Sequence, residues 1–180
     1  MMKLTSKLAM ILLLAVSLVE AQPRTPTEYE VKAAFLYNFA RYVQWPAPGN
    51  RKSFAIGVLG RDPFGRVLDE VMRGQKVHGR AVIVRRFTRL EDVAGCDMIF
   101  IASSERNDFR RIFIHLAAAR MLTVGEADRF AENGGMINLT TREERIRFEV
   151  NPAAIARAGL KASSQLLRLA TIVDEAEASR

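Results

Sequence analysis

Residues 57–67 read GVLGRDPFGRV, an apolar run entering a turn with glycines at 60 and 65. That spacing is the one at which a P-loop wraps a phosphate in backbone N–H groups. A P-loop then needs Lys to neutralise the phosphate and Ser or Thr to reach the metal, but Arg66 and Val67 stand there instead. Pro63 has no N–H to give, and Asp62 would set a negative charge against the phosphate. The dinucleotide fingerprint fails as well, because Gly57, Gly60 and Gly65 are wrongly spaced for it. The stretch reads as a strand-to-helix turn, with Asp62-Pro63 starting the helix.

The other chemically able side chains are sparse. His78 and His115 have no second His or Cys at ligand spacing, so no metal site is expected. Ser103-Ser104-Glu105 lacks the G-x-S-x-G elbow of a nucleophile and reads as a helix cap. Gly134-Gly135 reads as a tight turn, or as backbone approached closely by a ligand. Cys96 is the single cysteine, which excludes a disulfide within the chain. Ahead of the apolar DMIFIA it is expected to be a buried, unreactive thiol. No catalytic residues, metal or cofactor are assigned.

The elements that position these residues alternate. Thr27 and Glu30 form a capping box for a helix that Pro46 ends. Val31, Phe35, Phe39 and Tyr42 form its inward stripe, which Leu36 and Val43 widen. Strands are expected at 54–59, 81–87, 97–102 and 121–125. Helices or helical turns are expected at 63–73, 89–93, 105–119 and 127–132. MINLTT and RIRFEVN make a hairpin about Arg142-Glu143-Glu144. Asn151 caps a short helix from Pro152, Gly159 breaks it, and a last helix covers 160–177.

Continuous apolar strands indicate a sheet covered on both faces. The expected fold is a three-layer α/β/α sandwich, Rossmann-like, with a mostly parallel (mixed) sheet and a C-terminal antiparallel hairpin. Such sheets bind ligands at the carboxyl ends of their strands. Those ends are Gly60, Arg61 and Asp62, then Ser103, Ser104 and Glu105, then Gly125 and Glu126. With Arg66 they are the candidate ligand- or partner-binding residues, and Arg61 is suited to a small anion.

The chain has 180 residues, 49% hydrophobic and 26% charged, as one full-cored domain requires. Its start departs from that pattern. Lys3 and Lys7 precede an uncharged run over 8–19, and Val19-Glu20-Ala21 offers small residues for cleavage. The run is too short to span a bilayer. Residues 1–21 are therefore expected to be a signal peptide, and 22–180 a single exported domain. Cleavage removes two lysines and one glutamate, taking the net charge from +7 to +6. The arginines are scattered, with no run longer than Arg85-Arg86 or Arg110-Arg111. This reads as a solvated basic surface and not as a nucleic-acid site.

Taken in order, YEVKAAFLYNFARYVQWP, FAIGVLGRDPFG, HGR, CDMIFIASSE, LTVGE, FAENGGMINL, IRFEVNP and GLKASSQLLRLA resemble the YfiR-like family of periplasmic proteins. The set covers nearly all of 22–180. The resemblance implies a periplasmic regulator that dimerises and restrains an inner-membrane signalling enzyme. The best-known such partner is a diguanylate cyclase, whose cyclic di-GMP output controls biofilm formation. The alternative is a small-molecule sensor or solute-binding domain reporting to a histidine kinase or transporter. The better-known members use disulfides, from which the unpaired Cys96 departs.

Overall fold

The computed structural model describes residues 25–46 and 51–174. The expected signal peptide, and the end of the expected last helix, lie outside the described residues.

Helix α1 (Glu28–Tyr42) starts on the capping box: Glu30 N–H donates to Thr27 Oγ1 and Thr27 N–H to Glu30 Oε2. Its buried line differs from the expected stripe. Ala33, Leu36, Phe39 and Ala40 are buried and Val43 lies beyond them, while Val31, Phe35 and Tyr42 stand half-buried at the margins. The two alanines let the backbone lie close on the sheet, which a stripe drawn through large apolar residues overlooks. Phe35 instead leans on Phe39 and Phe148, with ring centroids 5.8 and 5.6 Å away. The helix stops before Pro46 because β1 (Val43–Gln44) turns extended to pair with β9 (Lys161–Ala162).

The main sheet contains β2 (Ser53–Leu59), β3 (Lys76–Val77), β4 (Arg80–Phe87), β5 (Met98–Ile101) and β6 (Leu122–Gly125). It is completed by β7 (Ile137–Arg142), β8 (Arg145–Val150) and β10 (Thr171–Ile172). Their order across the sheet is β10-β8-β7-β6-β5-β2-β4-β3. The β7–β8 and β3–β4 pairs are antiparallel and the rest are parallel. The three-layer mixed architecture thus stands as expected, with the β7–β8 hairpin in place.

Side-chain alternation splits the core in two. Phe54, Ile56, Val58, Met98 and Phe100 face α1, α2 (Arg66–Met72), α4 (Pro152–Arg157) and α5 (Ser164–Leu169). Ala55, Leu59, Ile99 and Ile101 face α3 (Phe109–Leu116) and Phe130 on the other side. Every residue of β5 and β6 is buried, as in a sheet covered on both faces, and the one polar side chain, Thr123, accepts the Met136 N–H.

The β7–β8 loop holds only Glu143 and Glu144, at φ 49° and 59°. Both positive values are those of a type I′ turn, whose twist matches the strands. HGR proves to be a second hairpin, pairing Val77 with Arg80. Arg80 then runs under the sheet's amino end, where its guanidinium meets Asp97 Oδ1 at 3.1 Å and the Ser53 carbonyl at 3.1 Å. Asp97 also accepts the Ala55 N–H, so this buried pair ties β2, β4 and β5 together.

Three further expectations fail locally. Asp62-Pro63 does not start the helix: Asp62 accepts the Phe64 N–H in a turn, and α2 begins only at Arg66, after Gly65. Ser103 and Ser104 do not cap the helix beginning at Glu105; they lie within a 3₁₀ turn, Ser103–Asp108, and α3 starts only at Phe109. The expected final helix is divided into β9, α5 and β10. Ser163 caps α5 by accepting the Leu166 N–H, and Thr171–Ile172 breaks away to extend the sheet beside β8.

Candidate functional site

The chain leaves β2 towards α2 on one face and β5 towards α3 on the other. The crevice that such a switch point opens therefore lies between Gly60 and Ser104. In this protein it is stitched shut. Arg61 N–H donates to Ser104 Oγ at 3.0 Å, and that hydroxyl donates to Glu105 Oε1 at 2.8 Å. Gly60, at φ 90°, leaves no room for a side chain: a Cβ there would stand 2.6 Å from Ser104 Oγ. The loop behind is held by Arg86, which reaches Asp62, Asp69 and the Gly65 carbonyl, each at 2.6 Å. Its hydrogen bond holds the Asp69 carboxyl below its usual value. Arg61 and Arg66 stand exposed on the outside of this brace.

The open space lies further along the same sheet end. A cleft of about 750 Å³ runs between α1, the segment after β6, and the β7–β8 hairpin. Ser103 and Glu126 line it. On its floor Lys32, 5% exposed, sits 2.6 Å from both Glu126 and Glu28. Burial pulls the Lys32 ammonium down, but the hydrogen bonds to Glu126 and Glu28 outweigh it and the net shift is upward. The Lys32 hydrogen bond lowers Glu28, and Thr141 Oγ1 donates to the same carboxylate at 3.2 Å, closing α1 onto the hairpin. Tyr29 OH points to Glu126 Oε1 at 3.4 Å. On the hairpin side Asn138 and Glu149 sit opposite each other in the ladder, and Arg142 stands 3.4 Å from Glu149.

The nine candidate residues thus divide. Gly60, Arg61, Ser104 and Glu105 converge on the closed crevice, Asp62 and Arg66 flank it, and Ser103 and Glu126 face the cleft. Gly125 is buried under the Phe130 ring, which a Cβ there would meet at 2.5 Å. The same ring explains Gly135, whose Cβ would meet it at 2.2 Å. The close approach at Gly135 is made by the protein's own phenylalanine, while Gly134 takes a positive φ of 108°.

Lys32, Asn138 and Glu149 join the site from outside the set expected from the sequence. Lys32 stands on an otherwise apolar helix face, four residues before Leu36. Asn138 interrupts the apolar strand Ile137–Leu139. Both are polar residues at core-facing positions, and that is the signal that marks them.

A family model described as YfiR/HmsC-like matches residues 29–171. Among solved structures, a conserved domain protein from Vibrio cholerae O1 biovar El Tor superposes with a TM-score of 0.56 at 14% identity, covering 83% of this chain. The ABC domain in complex with L-Trp from Streptococcus pneumonia gives 0.55 at 10% identity over 78% of the chain. The match spans 60% of each of those longer chains. At such identities the likeness is one of fold.

Proposed function

The chain belongs to the YfiR/HmsC-like family, and from that premise we propose that it is a periplasmic regulator that binds and represses an inner-membrane diguanylate cyclase, lowering cyclic di-GMP. The observation that carries this reading is the extent of the family match, 29–171, which takes in both core clusters and all of the cleft lining but Glu28. Repression requires no chemistry, only tighter binding to the partner's inactive form. A tenfold preference moves the partner's equilibrium by about 1.4 kcal/mol, within reach of a modest surface. Arg61 and Arg66, exposed on a loop that Arg86 makes rigid, are the proposed contact positions, and the protein acts as a homodimer.

The test is gene deletion with cyclic di-GMP and surface attachment measured together. Both rise, and the exported protein reverses the rise while a version lacking residues 2–21 does not. If neither changes and a histidine kinase co-purifies, the repressor reading fails. The second reading, a small-molecule sensor reporting to a kinase or transporter, then takes its place; the cleft beside Lys32 favours it.

A further inference from the structure

The cleft contains one polar atom that the fold leaves unmet. Asn138 is 2% exposed, and its Nδ2 donates to Glu149 Oε2 at 3.0 Å. A carboxylate only accepts, so this bond fixes which way round the amide sits and leaves Oδ1 as the outstanding acceptor. Among the described residues no group donates to Oδ1. A buried acceptor is rarely left so, and the exceptions ask for an explanation.

The surrounding charge says which donor fits. Among the described residues, five carboxylates line the cleft against three cations, although the chain as a whole carries +7. Each of those cations is already engaged: Lys32 by Glu28 and Glu126, Arg129 by Glu132, Arg142 by Glu149. The carboxylates do not converge as metal ligands, since no group of three His, Cys, Asp or Glu among the described residues is placed to hold an ion. Dispersed negative charge with a separate neutral acceptor suits a larger cation that carries hydrogens to donate.

We infer that this cleft binds a small organic cation bearing N–H groups, an amine or guanidinium compound, with its charge against Glu149 and an N–H donated to Asn138 Oδ1. Arg142 touches Glu149 only at 3.4 Å and its side chain is 69% exposed. The incoming cation displaces it and gains access to the amide behind. The site does not depend on the repressor reading: deletion can leave cyclic di-GMP unchanged while the cleft still binds.

The test is calorimetric titration of the purified exported protein with putrescine and agmatine. Tetramethylammonium, a cation without N–H, is the counterpart at matched ionic strength. Saturable one-to-one binding is expected from at least one probe, with tetramethylammonium at least about tenfold weaker. Glu149→Gln weakens binding about tenfold or more, the scale of a lost charge-assisted hydrogen bond. Arg142→Ala strengthens it by removing the competitor. Asn138→Leu also weakens it, provided circular dichroism shows a native fold; if it does not fold, the Glu149→Gln and tetramethylammonium comparisons decide. No saturable heat from either probe, equal affinity for tetramethylammonium, or unchanged affinity in Glu149→Gln overturns the inference.

Discussion

Cys96 shows how a single side chain acquires its character from its neighbours. It is 3% exposed in the core on the α3 side of the sheet, and burial pushes its thiol from 9.0 up to about 11. That shift alone leaves about 100-fold less thiolate at neutral pH. A thiol reagent should therefore label the native protein far more slowly than the urea-unfolded chain; equal rates would place Cys96 at the surface. Lys32 is the opposite case, a charge in a position that its type does not announce. Its side chain and that of Glu126 are 6% and 8% exposed, so removing Lys32 strands Glu126 in the interior, whereas Lys32 keeps Glu28 when Glu126 is removed. Lys32→Met should cost about 3–5 kcal/mol in urea unfolding, and adding Glu126→Leu should recover most of that loss. An additive double variant would mean that the pair contributes nothing as a pair.

Among the elements, those fixed by local chemistry are legible in the sequence and those fixed by distant pairing are not. The Thr27 capping box, the unbroken apolar strands and the β7–β8 hairpin each derive from a few adjacent residues. The tail defeats such a reading because nothing within LKASSQLLRLA says that Lys161–Ala162 will pair with β1, or that Thr171–Ile172 will join β8. The candidate site is half legible for the same reason. Strand ends can be located from the strands, but the closing of the Gly60–Ser104 crevice depends on a side chain 43 residues away from Arg61. Helix α1 carries the element-scale prediction. Phe39 is 1% exposed and Phe35 half-buried, so Phe39→Ala should cost about 3–5 kcal/mol and Phe35→Ala clearly less. Reversed magnitudes in denaturant melts would mean that the helix is rotated on the sheet.

For the whole molecule, acid is the natural stress. The Glu28 and Asp69 carboxyls lie below their ordinary values of 4.5 and 3.8, held there first by hydrogen bonds from Lys32 and Arg86. A carboxyl whose folded value is depressed adds stability that is fully present above the ordinary value and is lost as pH falls through the folded one. Stability should thus be level near neutrality and decline below about pH 4.5. Solvent screening keeps each contribution below about 1 kcal/mol. Urea midpoints at pH 7 and pH 3.5 check this, and a higher midpoint in acid would reverse the sign. The sheet has a further consequence at this scale. Its outermost strands, β3 and β10, are two residues long, so among the described residues the outer sides of β4 beyond Val82 and of β8 before Glu149 have no strand partner. Those open stretches carry Arg85 on one side and Arg145 and Arg147 on the other, while the charge of Arg86 is already met by Asp62 and Asp69. Scattered arginines that look like mere surface charge thus stand where two copies would otherwise stack edge to edge, and their mutual repulsion is a guard against aggregation.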